Sequence, residues 1–256
     1  MRRVRIIPVL LIHKNGLVKS ARFKKYTYVG DPINAVKIFN EKEVDELVIL
    51  DIDATAEGRG PDFERLKEIA GEAFIPLAYG GGITTVEQVK DLFYLGVEKC
   101  VFNYAAIHNP ALITAVAGLV GSQSVVVSID VKKNVFGKYK VYTKNGNEKT
   151  GLDPVEFAKK MEGIGAGEIF FNSIDRDGMY AGFDLELIKE IGHAISIPLI
   201  ACGGASGTDD FRNAINAGAS AAAAGSLFVF QRPHNAVLIS YPSQKELKEK
   251  IFEQVI

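Results

Sequence analysis

The chain has 256 residues, 47% of them apolar and 24% charged, with a net charge of −1. A chain of that length buries a large core without disulfides or structural metals, and the near-neutral balance argues against nucleic acid or an anionic membrane as partner. No apolar run is long enough to span a bilayer. The two cysteines, Cys100 and Cys202, sit in apolar strand-like runs, which reads as buried free thiols in a reducing, cytoplasmic compartment.

The start, MRRVRIIPVLLIHKNG, is basic and then apolar, like a signal peptide. It is interrupted by Pro8, ends in His13-Lys14-Asn15 and has no small-residue cleavage pattern behind it, so it reads as a first strand over 4–12. Further short apolar runs stand near 46–52, 74–79, 99–103, 125–130, 168–174, 197–202 and 220–225. Such continuous runs suit parallel strands buried on both faces. Amphipathic helix patterns lie between them. Asp31-Pro32, Asn109-Pro110 and Asp153-Pro154 place a capping side chain before a proline at the first helical position. Thr84 with Glu87, and Ser243 with Glu246, read as capping boxes. Two longer insertions break the rhythm: residues 131–150, a hairpin turning at Asn145-Gly146, and residues 226–242.

The chain repeats itself at an offset of 122 residues. Asp31-Pro32 falls on Asp153-Pro154, Asp53 on Asp175, Asp62 on Asp184, Ile75-Pro76-Leu77 on Ile197-Pro198-Leu199, Gly81-Gly82 on Gly203-Gly204 and Gly96 on Gly218. Four βα units, twice over without a gap, predict an α/β fold of one domain over 1–256. It is a (β/α)8 barrel made of two (βα)4 half-barrels, about 1–121 and 122–256, rather than an open doubly wound sheet.

In such barrels chemistry sits in the loops after the strands. Gly80-Gly81-Gly82 ends the third strand and Gly203-Gly204 the seventh. Glycine there lets the backbone approach an anion, and the following helix offers free amide donors; plain turn glycines are the alternative. Asn103, and Gly225 with Ser226, end the next strand of each half, so two phosphate-type sites are expected. At the first of them Tyr104 stands where Ser226 stands in the other half, and a bulky phenol there crowds an anion. The candidate ligand-binding set is Lys19, Gly82, Asn103, Asp177, Gly178, Gly204, Gly225 and Ser226. Lys19 reads equally as an anion grip or a solvated lysine of the first βα loop. Asp130, at the end of strand five, is the candidate general base. The first strand has no carboxylate from Val4 to Ile12, so a two-carboxylate mechanism across strands one and five is unavailable. No metal or cofactor is expected.

RIIP at 5–8, VGDP at 29–32, DELVILDID at 45–53, IPLAYGGG at 75–82, GSQSVVVSID at 121–130, GAGEIFFNSIDRDG at 165–178 and IPLIACGGA at 197–205 resemble HisF, the cyclase subunit of imidazole glycerol phosphate synthase, over nearly the whole chain. The resemblance implies a barrel that binds a bisphosphorylated ribonucleotide and receives ammonia from a glutaminase, HisH, docked at the opposite end. It implies an aspartate pair on strands one and five. Asp130 matches the second, but Leu11 stands at the position of the first. Tyr104, Asn172 and Met179 depart from the family pattern on the same face. At the other end, Arg5, Glu46, Lys99 and Glu168 match the family's ring of alternating charges, which is read there as an ammonia gate; from the residues alone, a salt-bridged plug is an equal reading. One end is kept and the other altered. This is similar to HisF-like paralogues of surface-polysaccharide clusters, implying ammonia delivery to a separate amidotransferase that makes acetamidino sugars for lipopolysaccharide. The competing expectation is a true histidine-pathway cyclase, a lyase; a third is a phosphosugar isomerase, against which Leu11 also counts.

Overall fold

The computed structural model describes residues 4–255. Eight parallel strands close into a barrel: β1 (Arg5–His13), β4 (Leu47–Asp51), β5 (Leu77–Gly80), β6 (Lys99–Phe102), β7 (Val125–Lys133), β10 (Glu168–Ser173), β11 (Leu199–Cys202) and β12 (Ala221–Ala224). Closure runs through Arg5↔Ala221 between β1 and β12, and the halves also join through Cys100↔Val125 between β6 and β7. The (β/α)8 barrel expected from the repeat is therefore the fold. Around it lie α1 (Pro32–Glu41), α2 (Phe63–Gly71), α3 (Val86–Tyr94), α5 (Pro110–Val120), α6 (Pro154–Gly163), α7 (Leu185–Ala194), α8 (Thr208–Asn216) and the short α10 (Gln244–Leu247).

The strand runs look uniformly apolar because both faces are buried. Along β1, Ile6 and Leu10 pack outward against the helices while Ile7 and Val9 point to the axis, as the two-residue period of a strand requires. The axis is filled by Ile7, Val9, Val48, Val126, Phe170 and Ile200, with the alanines Ala78, Ala221 and Ala223 among them. Each large aliphatic side chain so buried contributes roughly 1.5–3 kcal/mol.

Helix starts follow the sequence with two corrections. Asp31 and Asp153 accept from the Asn34 and Glu156 amides at 3.1 and 3.2 Å. Ser243 and Glu246 form the expected capping box. The box at the start of α3 is Thr85 with Gln88, one residue beyond the expected Thr84 and Glu87. Asn109 makes no side-chain cap, because α5 follows directly on a short helix, α4 (Tyr104–His108), and Asn109 is the junction of the two.

The excursions beyond the strand ends are more ordered than loops. Residues after β1 form an antiparallel meander, β2 (Gly16–Ala21) and β3 (Lys24–Gly30), where the sequence reads as a plain loop. After β7 the chain turns twice. The first turn, at Asn134–Lys138, leads into β8 (Tyr139–Thr143) and has no counterpart in the sequence reading; the second is the expected Asn145-Gly146 turn into β9 (Glu148–Lys149). Both Asn145 and Gly146 have positive φ, which Asn and Gly tolerate best. After β12 comes α9 (Ser226–Val229), then a small hairpin of β13 (Phe230–Gln231) and β14 (Ala236–Val237).

Candidate functional site

At the N-terminal floor of the barrel, four charges from four strands meet. Glu46, just before β4, and Glu168, opening β10, are buried. Arg5 lies 2.5 Å from Glu46 and 2.7 Å from Glu168; Lys99 lies 2.9 Å from Glu46 and 3.0 Å from Glu168. Every cation touches both anions, so the ring is closed. Such mutual pairing offsets the desolvation of buried charge. One atom stands outside it: Glu46 Oε1 is buried and has no hydrogen-bond partner.

At the C-terminal mouth, Asp130 on β7 is buried, with Asn103 Nδ2 at 3.3 Å and Ser128 Oγ at 3.4 Å. Burial pushes its carboxyl up to about 7. Asn103 also donates to the Ser128 carbonyl at 3.1 Å and accepts from Thr143 Oγ1 at 2.6 Å, which ties β6, β7 and β8 together. Asn172 is the register partner of Asp130 on β10, and its buried Oδ1 has no partner. Opposite, Leu11 and Leu50 extend the apolar axial cluster to the mouth, so no carboxylate faces Asp130 from β1. Asp177 accepts from Ser20 Oγ at 2.7 Å, and its pKa is raised by burial.

Lys19 is not a solvated loop lysine. It sits on β2, buried, with Nζ donating to the Val9 carbonyl. Burial lowers its amine to about 8, against the pull of Asp177. A side chain at Gly225 would meet this amine, since an added Cβ lies 2.7 Å from Lys19 Nζ.

The expected anion sites come out as paired turns. Gly204 has a φ of +109° and an added Cβ there would lie 2.2 Å from the Gly182 carbonyl; Gly82 has a φ of +68° and the same approach, 2.4 Å, to the Arg59 carbonyl. Close backbone packing therefore demands glycine at both positions whether or not an anion binds. Gly178 likewise packs against the Ser20 carbonyl. Two short helices, α4 and α9, start at Tyr104 and Ser226, at matching positions of the two halves. Neither has a side-chain cap at its start. The Tyr104 ring lies against His108 at 4.1 Å and under Lys144.

Sequence reasoning missed how the mouth is covered. Asn145 donates to the Ile52 carbonyl at 2.6 Å, so the turn built on strand five reaches the loop after β4. A Cβ on Gly146 would fall 3.5 Å from Phe23 and 3.2 Å from Ile174. The Asn145-Gly146 pair signals a turn, but nothing local signals its contacts.

A closed parallel barrel with a charged ring at its floor and a buried aspartate at its mouth defines a (β/α)8 protein with a mouth-side site. The family model for histidine biosynthesis proteins matches residues 5–233. The chain is 50% identical to "Putative imidazole glycerol phosphate synthase subunit hisF2" of Pseudomonas aeruginosa, over 96% of this chain and 99% of that protein. It is 44% identical to imidazole glycerol phosphate synthase subunit HisF of Alkaliphilus metalliredigens, over 88% of this chain and 89% of that one. The chain belongs to the HisF family of histidine biosynthesis proteins.

Proposed function

We propose that this chain is the barrel subunit of a glutamine-dependent complex of the imidazole glycerol phosphate synthase type. A HisH-like glutaminase docks at the floor, and ammonia enters through the ring of Arg5, Glu46, Lys99 and Glu168. The ring is the observation that carries this reading. A plug closing the floor needs no spare acceptor, whereas Glu46 Oε1 is buried and unpartnered. Above it the axial lining is apolar, which suits neutral ammonia. Phe74, on the connection into β5, and Tyr94, the last residue of α3 ahead of β6, are 84% and 91% exposed and supply apolar surface for docking on the same end. The buried free thiols support a cytoplasmic location.

At the mouth, a phosphorylated small molecule would lie between Gly82 with Asn103 and Gly204 with Gly225 and Ser226, near Lys19, Asp177 and Gly178. Asp130 would act as base. Its strand-one partner is missing, which supports weak cyclase chemistry and delivery of ammonia to a separate amidotransferase making acetamidino sugars for lipopolysaccharide or O-antigen. A second reading, the cyclase subunit (a lyase) of histidine biosynthesis, is favoured by the names of the relatives, and the comparisons support it better than they support the sugar branch. One assay separates them: turnover of the cyclase substrate with excess ammonium salt. Under the first reading Leu11→Asp raises turnover by about 10²-fold or more, the usual contribution of a general acid or base. Wild-type turnover at the level of an intact synthase, unimproved by Leu11→Asp, would establish the second.

A further inference from the structure

Basic charge is concentrated in three excursions of this chain. Residues 14–30, 131–150 and 226–242, the excursions after β1, β7 and β12, hold 12 of the 30 Lys and Arg but only one of the 31 Asp and Glu. The rest of the chain is left with 18 basic and 30 acidic residues. All three excursions leave the C-terminal ends of barrel strands at the mouth; the third then returns along the barrel, where Tyr241 donates to the Ile6 carbonyl. Lys14, Arg22, Lys24, Lys25, Lys138 and Lys149 are exposed. Among the described residues none of the six is in an ion pair, whereas the one acid, Glu148, is held by Lys144 and His108.

The shorter mouth loops do contain carboxylates, but these have partners of their own. Asp53 is bonded by His13 and the Lys14 amide, Asp62 caps α2, Asp175 accepts from the Lys133 amide, Asp184 accepts from Tyr139, and Glu57 pairs with Arg59. The collar therefore stays basic. It also carries bare apolar surface: Tyr28 is 66% exposed, and Val135, Phe136, Val237 and Leu238 are exposed with it. A soluble surface gains nothing from a Phe and a Val at a hairpin tip.

We infer that the three excursions form a docking collar for a second protein, one that presents acidic surface and an apolar pocket around its own entrance. Two classes of occupant fit the charge. A small phosphorylated molecule steered to the mouth accounts for the cations but not for the apolar tips. A protein accounts for both, since interfaces seat aromatic anchors inside a charged rim. The identity of that protein as the consumer of ammonia rests on the hand-off reading above; the collar itself rests on charge and exposure.

The test is in-cell photo-crosslinking in the source organism, with Phe136→p-benzoylphenylalanine at the collar and Phe74→p-benzoylphenylalanine at the floor as control. The expected result is a Phe136 adduct whose partner, identified by mass spectrometry, is an ammonia-consuming enzyme rather than the glutaminase. That purified enzyme should bind the wild-type chain with a Kd that rises at least about tenfold between low and physiological salt, as charge-steered association does. The triple variant Lys24→Glu, Lys25→Glu, Lys138→Glu should abolish the collar adduct and leave the Phe74 adduct with the glutaminase unchanged. No collar adduct alongside a normal floor adduct overturns the proposal, as does an adduct indifferent to the triple variant. Slower binding of a sugar bisphosphate probe by the triple variant, with no collar adduct, assigns the charge to steering instead and also overturns it. A collar adduct without a floor adduct would leave the collar standing and count against the glutaminase reading.

Discussion

Asp130 shows how a single residue takes its chemistry from its surroundings. The strand-end position was legible in SVVVSID, but its acidity was not, because its burial depends on residues remote in sequence, Asn103 and the register partners Tyr142 and Asn172. Its pKa is raised from 3.8 to about 7. Between those values the native state holds a proton that the unfolded chain has released, so this residue's contribution to stability is full below about pH 4 and is lost as pH rises through 7. Asp130→Asn should therefore flatten the fall in Tm between pH 4 and pH 8 and make the protein more stable than wild type at pH 8; thermal melts across that range decide it. Lys19 is the opposite case. In the sequence it reads equally as an anion grip or a solvated lysine, and only the β1–β2 pairing shows it turned inward onto the Val9 carbonyl.

Elements were read well where a local rule decides them. The eight barrel strands and the Asp-Pro helix starts lie within a few residues of expectation, because burial on both faces and capping geometry are written in adjacent positions. The α3 cap slipped by one residue because Thr84-Thr85 offers two hydroxyls, and the choice fell to the one with Gln88 three positions on. Thr85→Ala should cost about 1 kcal/mol in a denaturant melt, and Thr84→Ala a few tenths at most. The β2–β3 meander escaped the sequence reading because its outer strand is almost wholly exposed and lacks an apolar alternation. The turn at Asn134–Lys138 has a single glycine and an exposed Val-Phe pair, a weak local signal.

At the scale of the whole molecule the floor and the mouth behave differently. Arg5, Glu46, Lys99 and Glu168 are separated by up to 163 residues, yet barrel closure brings them into one ring. Removing one member leaves a buried carboxylate short of a partner. Arg5→Met should destabilise the fold by about 3 kcal/mol, the low end for breaking a buried pair, since the Arg5 side chain is 20% exposed. The paired variant Arg5→Met, Glu46→Met should recover part of that loss in urea melts, and failure to recover would show that the charges act independently. The sequence by itself determined the barrel, its internal repeat, the family, the missing carboxylate at Leu11 and the identity of the four floor charges. These rest on strand and helix periodicity, on glycine pairs that recur at one offset, and on residue types at fixed spacing. Only the tertiary structure decided that the ring is closed, that Lys19 and Asp130 are desolvated, that the Asn145 turn covers the mouth, and that the three basic excursions leave one end of the barrel. Each of these depends on distances between segments remote in sequence, and burial and Coulomb energy are set by those distances rather than by order along the chain.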